Sequence, residues 1–267
     1  MDATALTSPA SLCTFPDSLY VGVSTKMYMG YARSLEWLEQ LVAEVDARPA
    51  LAAGRVVPFV IPSFPVLPAA AALVAGSPLV LGAQDCGWAD GPWTGEVAPS
   101  MLAELGVGLV EIGHAERRRH FAEDDAVVAL KVGAAVGSGI TPLLCVGEAE
   151  ACAPEAAAEF VFHQIKAAVS GDWEMAARLV IAYEPVWAIG APEPASAQYV
   201  SMVVGALRDA LAQHGLPGLP VIYGGSAKPG LLPQLSGVSG LFLGRFAHDA
   251  ANFGRVLDEA LAQPTGC

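Results

Sequence analysis

The chain has 267 residues, 54% of them hydrophobic and 15% charged, so it is too apolar for a disordered segment and long enough to bury a large core. Its 27 acids against 14 bases give a formal net charge of −13, which works against nucleic acid or an anionic membrane as partner. No apolar run reaches the ~18 residues that a membrane-spanning helix requires.

Residues 1–18, MDATALTSPASLCTFPDS, hold neither a basic n-region nor an apolar h-region, so they are expected to form a loose extension and not a secretory signal. Residues 19–267 are expected to form one catalytic domain. The five cysteines, Cys13, Cys86, Cys145, Cys152 and Cys267, are scattered, odd in number and without CxxC spacing. That usage fits reduced thiols in a cytoplasm better than a disulfide framework or a zinc site.

From residue 20 onward, eight short apolar or β-branched runs follow one another: YVGVS (20–24), VVPFVI (56–61), LVLGAQ (79–84), GLVEIGH (108–114), PLLCVGE (142–148), LVIAYE (179–184), PVIYGG (220–225) and LFLGR (241–245). Each reads as a buried strand. Ala- and Leu-rich stretches with helical periodicity lie between them. In residues 34–48, Leu35, Leu38, Leu41, Val42 and Val45 form one stripe with acids opposite; residues 155–169, 196–213 and 252–263 read similarly. Eight strand–helix units in this length predict an α/β chain folded as a single-domain (β/α)8 barrel. An open doubly wound sheet would call for a G-x-G-x-x-G turn after the first strand, where this chain has VGVSTKMY.

Chemistry in such a barrel sits at the C-terminal strand ends. Those ends carry Ser24 and Lys26, Gln84, His114, Glu148, Glu184, Gly225 with Ser226, and Gly244 with Arg245. Glu184 follows an apolar run and precedes Pro185, which stops the strand and leaves the carboxylate at its lip. Taken alone, a strand-end glutamate or lysine is ordinarily solvated and a single histidine structural. Their convergence with two glycine-bearing turns favours a site that binds an anion through backbone N–H groups.

VGVSTKMY, GAQDC…WTGE, IGHAERR, CVGE, AYEPVWAIG, YGGS and LFLGR occur in the order of the motifs of triosephosphate isomerases, which the chain resembles from about Tyr20 to its last helix. The resemblance implies a TIM barrel and proton transfer between adjacent carbons of a short sugar phosphate through an enediolate. Glu184 would be the base, with His114 and Lys26 as the donors that stabilise the oxyanion. In that family a histidine kept neutral by a helix N-terminus is the standing illustration of pKa tuning, and HAERRRHF is expected to supply such a helix here. Ser24, Gly190, Gly225, Ser226, Gly244 and Arg245 would contact the substrate and its phosphate; no cofactor and no metal are implied. Glu116 and Arg117 are expected to form an ion pair behind the site, and Gln84 to support it. Thr94, at the tip of a loop resembling the family's interface loop, implies a homodimer. His163 and His214 read as surface residues, and His120 and His248 belong to no motif.

Several positions depart from the triose pattern. Ser24 stands where the family has asparagine and Ala115 where it has serine. The TGK expected after AIG is absent, and Arg245 replaces a glycine. Ser24, WAD in the interface loop, PASAQY and LFLGR instead resemble the related branch that isomerises erythrulose phosphates. The implied activity is therefore interconversion of dihydroxyacetone phosphate and glyceraldehyde 3-phosphate, placed first as the commoner one in the family, with tetrulose phosphate isomerisation as the alternative. A barrel that binds a sugar phosphate without turnover would be marked by loss of the base or of the donors. A phosphate-binding lyase or synthase would bring more charge to strand ends two and five, and strand two ends in IPSFP, which offers Ser63.

Overall fold

Each of the eight runs forms a strand of one parallel sheet in the computed structural model, which describes residues 18–189 and 195–264. The strands are β1 (Leu19–Ser24), β2 (Val56–Ile61), β3 (Val80–Ala83), β4 (Leu109–Ile112), β5 (Thr141–Val146), β6 (Val180–Tyr183), β7 (Val221–Gly225) and β8 (Gly240–Leu243). They pair in sequence order, and β8 closes on β1 with Val23 opposite Leu243. The expected barrel is thus the observed one. Register brings the chemical ends level: Ser24 lies opposite Ile61, and Tyr183 is flanked by Val146 and Tyr223.

Alternation along the strands explains both cores. Inward residues, among them Tyr20, Phe59, Ile61, Leu109, Leu143, Ala182, Ile222 and Phe242, fill the barrel, while outward residues such as Val21, Val23 and Val110 join the core shared with the helices. Phe59 and Phe242 meet with ring centroids 5.7 Å apart, and Gly22 leaves the space that the Phe59 ring occupies.

The helices are α1 (Tyr31–Asp46), α2 (Leu67–Val74), α3 (Pro99–Glu104), α4 (Ala115–Phe121), α5 (Asp125–Gly137), α6 (Pro154–Ala168), α7 (Trp173–Ala176), α8 (Ala197–Ala212) and α9 (Ala250–Ala262). Asp124, Ser196 and Asp249 cap α5, α8 and α9 with side-chain oxygens that accept backbone N–H groups. On α1, Trp37, Leu38, Leu41 and Val45 are buried as the stripe requires, and the Trp37 indole donates to the Ala247 carbonyl at 3.2 Å, tying α1 to the turn after β8.

One departure from strict alternation lies between β7 and β8, where the described residues hold a single 3-10 turn, Leu232–Gln234, in place of an α-helix. Pro229, Gly230, Pro233 and Gly237 in that segment break a helix at every turn. Ser18, at the edge of the expected extension, is buried and donates its hydroxyl to the Gly54 carbonyl at 2.8 Å. The rest of that extension lies outside the described residues. Among the described residues, no helix is long and apolar enough to cross a membrane.

Candidate active site

A cleft of about 340 Å3 opens at the C-terminal end of the barrel, walled by Ser24, Lys26, His114, Glu184, Gly225, Ser226, Gly244 and Arg245. These are the strand-end residues picked out above; Gly190 lies outside the described residues.

Lys26 follows β1 in the left-handed backbone region, with φ of 46°, a conformation that costs a non-glycine residue about 1 kcal/mol or more. Its carbonyl accepts hydrogen bonds from the Ser63 hydroxyl at 2.7 Å and the Gln84 amide at 2.8 Å, which hold the turn in that form. Gln84 therefore supports the site as expected, and Ser63 does so unforeseen. The Lys26 ammonium lies 2.6 Å from Glu116 Oε1. Burial works against its charge, but Glu116, Glu184 and Glu111 outweigh that and raise its pKa, so it stays cationic at any physiological pH.

His114 is the N-cap of α4, and its Nδ1 accepts the Glu116 backbone N–H at 3.1 Å. An N–H aimed at Nδ1 demands a lone pair there, so the ring proton sits on Nε2, which faces the cleft. Lys26 Nζ is 3.4 Å from that Nε2, so two donors stand side by side. A substrate oxygen between them would receive both, the arrangement an enediolate oxyanion needs.

Glu184 is buried, and its Oε2 lies 3.4 Å from His114 Nε2 without a hydrogen-bond partner. Two glycines make room for it. A Cβ on Gly147 would overlap the Glu184 carbonyl, and one on Gly224 would overlap its carboxylate Oε1. The acid is thus folded over β7 by neighbours that leave it little freedom. Behind it, Glu148 accepts hydrogen bonds from the Tyr183 hydroxyl at 3.2 Å, the Trp187 indole at 2.7 Å and the Tyr199 hydroxyl at 3.0 Å. That network pins the segment after Pro185 to β5, β6 and α8.

The expected Glu116–Arg117 pair does not form. Successive residues of a helix point to different faces, so Glu116 turns to Lys26 while Arg117 turns to Asp85 (2.8 Å) and Glu123 (2.6 Å). Those two acids also hold Lys131, which is 1% exposed, at 2.7 Å and 2.5 Å. Burial raises the Asp85 carboxyl to about 6 despite these cations.

Across the mouth, Gly224, Gly225, Ser226 and Lys228 from the β7 turn face Gly244 and Arg245 from the β8 turn. Arg245 stacks over the Tyr28 ring at 5.5 Å. Nothing lies within 4 Å of the position a Gly244 Cβ would take, so its bare backbone is open to the cleft. Two further residues here belong to none of the quoted motifs. His248 lines the same wall against Tyr28 and Trp37, with Nε2 buried and unpartnered. Glu111, inward-facing on β4, is buried with its Oε1 3.9 Å from His114 Nε2. His163 and His214 are exposed as expected, the latter stacked on Trp173 at 4.1 Å.

Comparison with known proteins accords with this geometry. The sequence model of the triosephosphate isomerase family matches residues 19–260. The L-erythrulose-1-phosphate isomerase of Pectobacterium atrosepticum is 47% identical over 249 residues, which span 91% of this chain and 95% of that protein. The protein of the same name from Mesorhizobium japonicum is 40% identical, over 91% and 97% of the two chains. The triosephosphate isomerase of a Synechococcus species is 37% identical, over 89% and 95%. The crystal structure of triosephosphate isomerase from Bartonella henselae superposes with a TM-score of 0.72 at 29% identity, over 90% of this chain and 98% of that one. The chain belongs to the triosephosphate isomerase family and is an isomerase.

Proposed function

We propose that the chain isomerises a four-carbon ketose phosphate, erythrulose 1-phosphate, through an enediolate, with Glu184 as base and His114 and Lys26 as oxyanion donors. The observation that carries the mechanism is the placing of His114 Nε2, 3.4 Å from both the unpartnered Glu184 Oε2 and Lys26 Nζ. A substrate whose carbonyl oxygen sits between the two donors presents its α-carbon proton to the carboxylate. Glu184 removes that proton and returns it to the neighbouring carbon, so atoms and electrons balance without a redox partner. The backbone of Gly190, Gly225, Ser226, Gly244 and Arg245 would hold the phosphate, with Ser24 at the floor.

In erythrulose 1-phosphate the C1 oxygen is esterified, so the C2 carbonyl has only C3 to move to, and the product is erythrulose 4-phosphate. The 47% identity to a protein of that activity supports the four-carbon reading, as do Ser24 and Arg245, which stand where the triose pattern has asparagine and glycine. The triose reading has support in the Synechococcus relative and in the intact lysine, histidine and glutamate set. Proton NMR in D2O separates them. Erythrulose 1-phosphate is expected to yield the 4-phosphate with one solvent deuterium on carbon, at a kcat/KM 10-fold or more above that for dihydroxyacetone phosphate, about 1.4 kcal/mol. Preference for dihydroxyacetone phosphate would replace this reading with the triose one.

The loop carrying Thr94 supports a homodimer. Thr94 is exposed, Trp93 beside it packs edge-on against Trp88 at 4.9 Å, and Met27 next to the catalytic lysine is 92% exposed. An apolar side chain left this open is suited to a partner surface. The net charge of −13 and five scattered cysteines without CxxC spacing support a cytoplasmic small-molecule enzyme.

A further inference from the structure

Among the described residues, Glu111 is the one acid that faces inward from a barrel strand. Its neighbours along the inward face are Phe59, Ile61, Leu109, Leu143 and Cys145, the apolar filling a barrel of this kind ordinarily has. Burying a carboxyl among them costs several kcal/mol unless it is fully paired. Glu111 has no such pairing. His114 Nε2 stands 3.9 Å from its Oε1, beyond hydrogen-bond reach, and the Lys26 ammonium is already matched to Glu116. His114 Nε2 stands between two acids, 3.4 Å from Glu184 and 3.9 Å from Glu111. Glu184 has its use as base; Glu111 has none in the mechanism above.

Its place in the barrel suggests one. The two turns proposed to hold phosphate follow β7 and β8, and β4 lies across the barrel from β8. A chain anchored there by its phosphate crosses the mouth toward β4, placing its carbonyl at His114 and Lys26 and its reacting carbon at Glu184. Any carbon beyond the reacting one extends toward the floor between β1 and β4. Ser24 lines the cleft on that side, and Glu111 lies just behind the lining, 4% exposed and 3.9 Å from His114 Nε2.

We propose that Glu111, together with the Ser24 hydroxyl, is a specificity-determining subsite that accepts the terminal hydroxyl of the fourth carbon. The inference rests on the four-carbon reading and deepens it. A triose has no group to offer there and leaves the buried acid without its partner, whereas a tetrulose supplies one hydrogen bond to a group that otherwise has too few. A site built to bind a substrate hydroxyl discriminates strongly against the analogue lacking it. Burial raises the carboxyl to about 7, so near neutral pH both an acceptor and a donor form are present, and either can pair with a hydroxyl.

The test is a specificity ratio, kcat/KM for erythrulose 1-phosphate over that for dihydroxyacetone phosphate. Glu111→Met keeps the volume and removes the polar end, and is expected to lower the ratio 10-fold or more; Glu111→Gln keeps a hydrogen-bonding group and is expected to hold it within about threefold of wild type. A purely structural role would lower both activities together and leave the ratio unmoved, which would overturn the proposal. On the wild-type enzyme, the substrate analogue with methyl in place of its terminal CH2OH is expected to lose 10-fold or more in kcat/KM. That measurement serves even where Glu111→Met fails to fold, and an analogue turned over as well as the parent would overturn the subsite. Wild-type preference for dihydroxyacetone phosphate would sink the four-carbon reading and the subsite with it. A tetrulose preference that survives Glu111→Met and the analogue sinks the subsite alone.

Discussion

Replacing Glu111 by glutamine is expected to stabilise the fold increasingly as the pH rises. Burial raises this carboxyl from its ordinary 4.5 to about 7, with His114 and Lys26, which follow β4 and β1, opposing the rise and Glu184, which follows β6, adding to it. The folded chain therefore keeps a proton that the unfolded chain gives up between pH 4.5 and 7, so stability present below 4.5 is lost as the pH climbs through 7. At ~1.4 kcal/mol per unit, the loss between pH 5 and pH 8 comes to about 2–3 kcal/mol. Glutamine does not titrate and escapes it. A chain of this size shifts its Tm by ~2–4 °C per kcal/mol, so the gap between variant and wild type should widen by roughly 4–12 °C over that range. Asp85, raised to about 6, titrates in both proteins and cancels in the difference. Calorimetry of the two proteins at pH 5 and pH 8 reads the gap directly. Parallel pH profiles, or a gap that narrows at high pH, would show that Glu111 is not the desolvated acid described here.

Glu184→Asp is expected to fold normally and lose ~100-fold or more in kcat, since the carboxylate retracts by about one methylene; near-normal turnover would exclude Glu184 as the base. Gly224→Ala places its Cβ against the Glu184 side chain and not against backbone, so it is expected to fold while kcat falls by ~10-fold or more, and an unimpaired kcat would show that the acid does not need that gap. Lys131→Met leaves Asp85 and Glu123 buried beside Arg117 alone and is expected to cost about 3–5 kcal/mol in urea unfolding at pH 8; a loss under ~1 kcal/mol would mean that the quartet is solvated. Thr94→Arg should weaken self-association and activity together, and sedimentation showing the same oligomer as wild type would remove the interface reading.

The strands were legible because a parallel barrel buries both faces of each one, which leaves unbroken apolar runs: VVPFVI and PLLCV appear as β2 and β5 with little change in bounds. The first helix begins at Tyr31, ahead of residue 34, because its first turn, Tyr31 to Arg33, is exposed and carries no apolar stripe to mark it. Lys26, His114 and Glu184 could be found because strand ends are fixed by where each run stops. Partners across the barrel could not. Ser63 supports Lys26 from the neighbouring strand end, and Glu116 turns to Lys26 and not to Arg117; both depend on the angle at which turns leave the sheet. Glu111 did leave a signal in LVEI, where an acid at an inward position interrupts an apolar run. It stands one residue ahead of IGHAERR, and alternation alone marks it as a carboxyl aimed into the barrel.

The distribution of charge within the cleft bears on how so acidic a chain would hold the phosphate dianion of the proposed substrate. Glu111, Glu116 and Glu184 stand on the β4 and β6 side, and the nearest cation, Lys26, is matched to one of them. Lys228 and Arg245 stand on the β7 and β8 side, and among the described residues neither pairs with a carboxylate. The cleft is thus polarised, positive where the bare backbone of Gly225 and Gly244 is open and negative where the hydroxyl-bearing end of a sugar would lie. A phosphate inserted the wrong way would face three acids at a range where screening by water is weak, so its orientation is set before any specific hydrogen bond forms. On the four-carbon reading this polarity has a further consequence. Erythrulose 1-phosphate and erythrulose 4-phosphate differ in which of two adjacent carbons bears the carbonyl, while the phosphate stays on the same terminal carbon. One fixed field therefore holds substrate and product alike, and Glu184 needs to reach only two neighbouring carbons to serve both directions of the reaction.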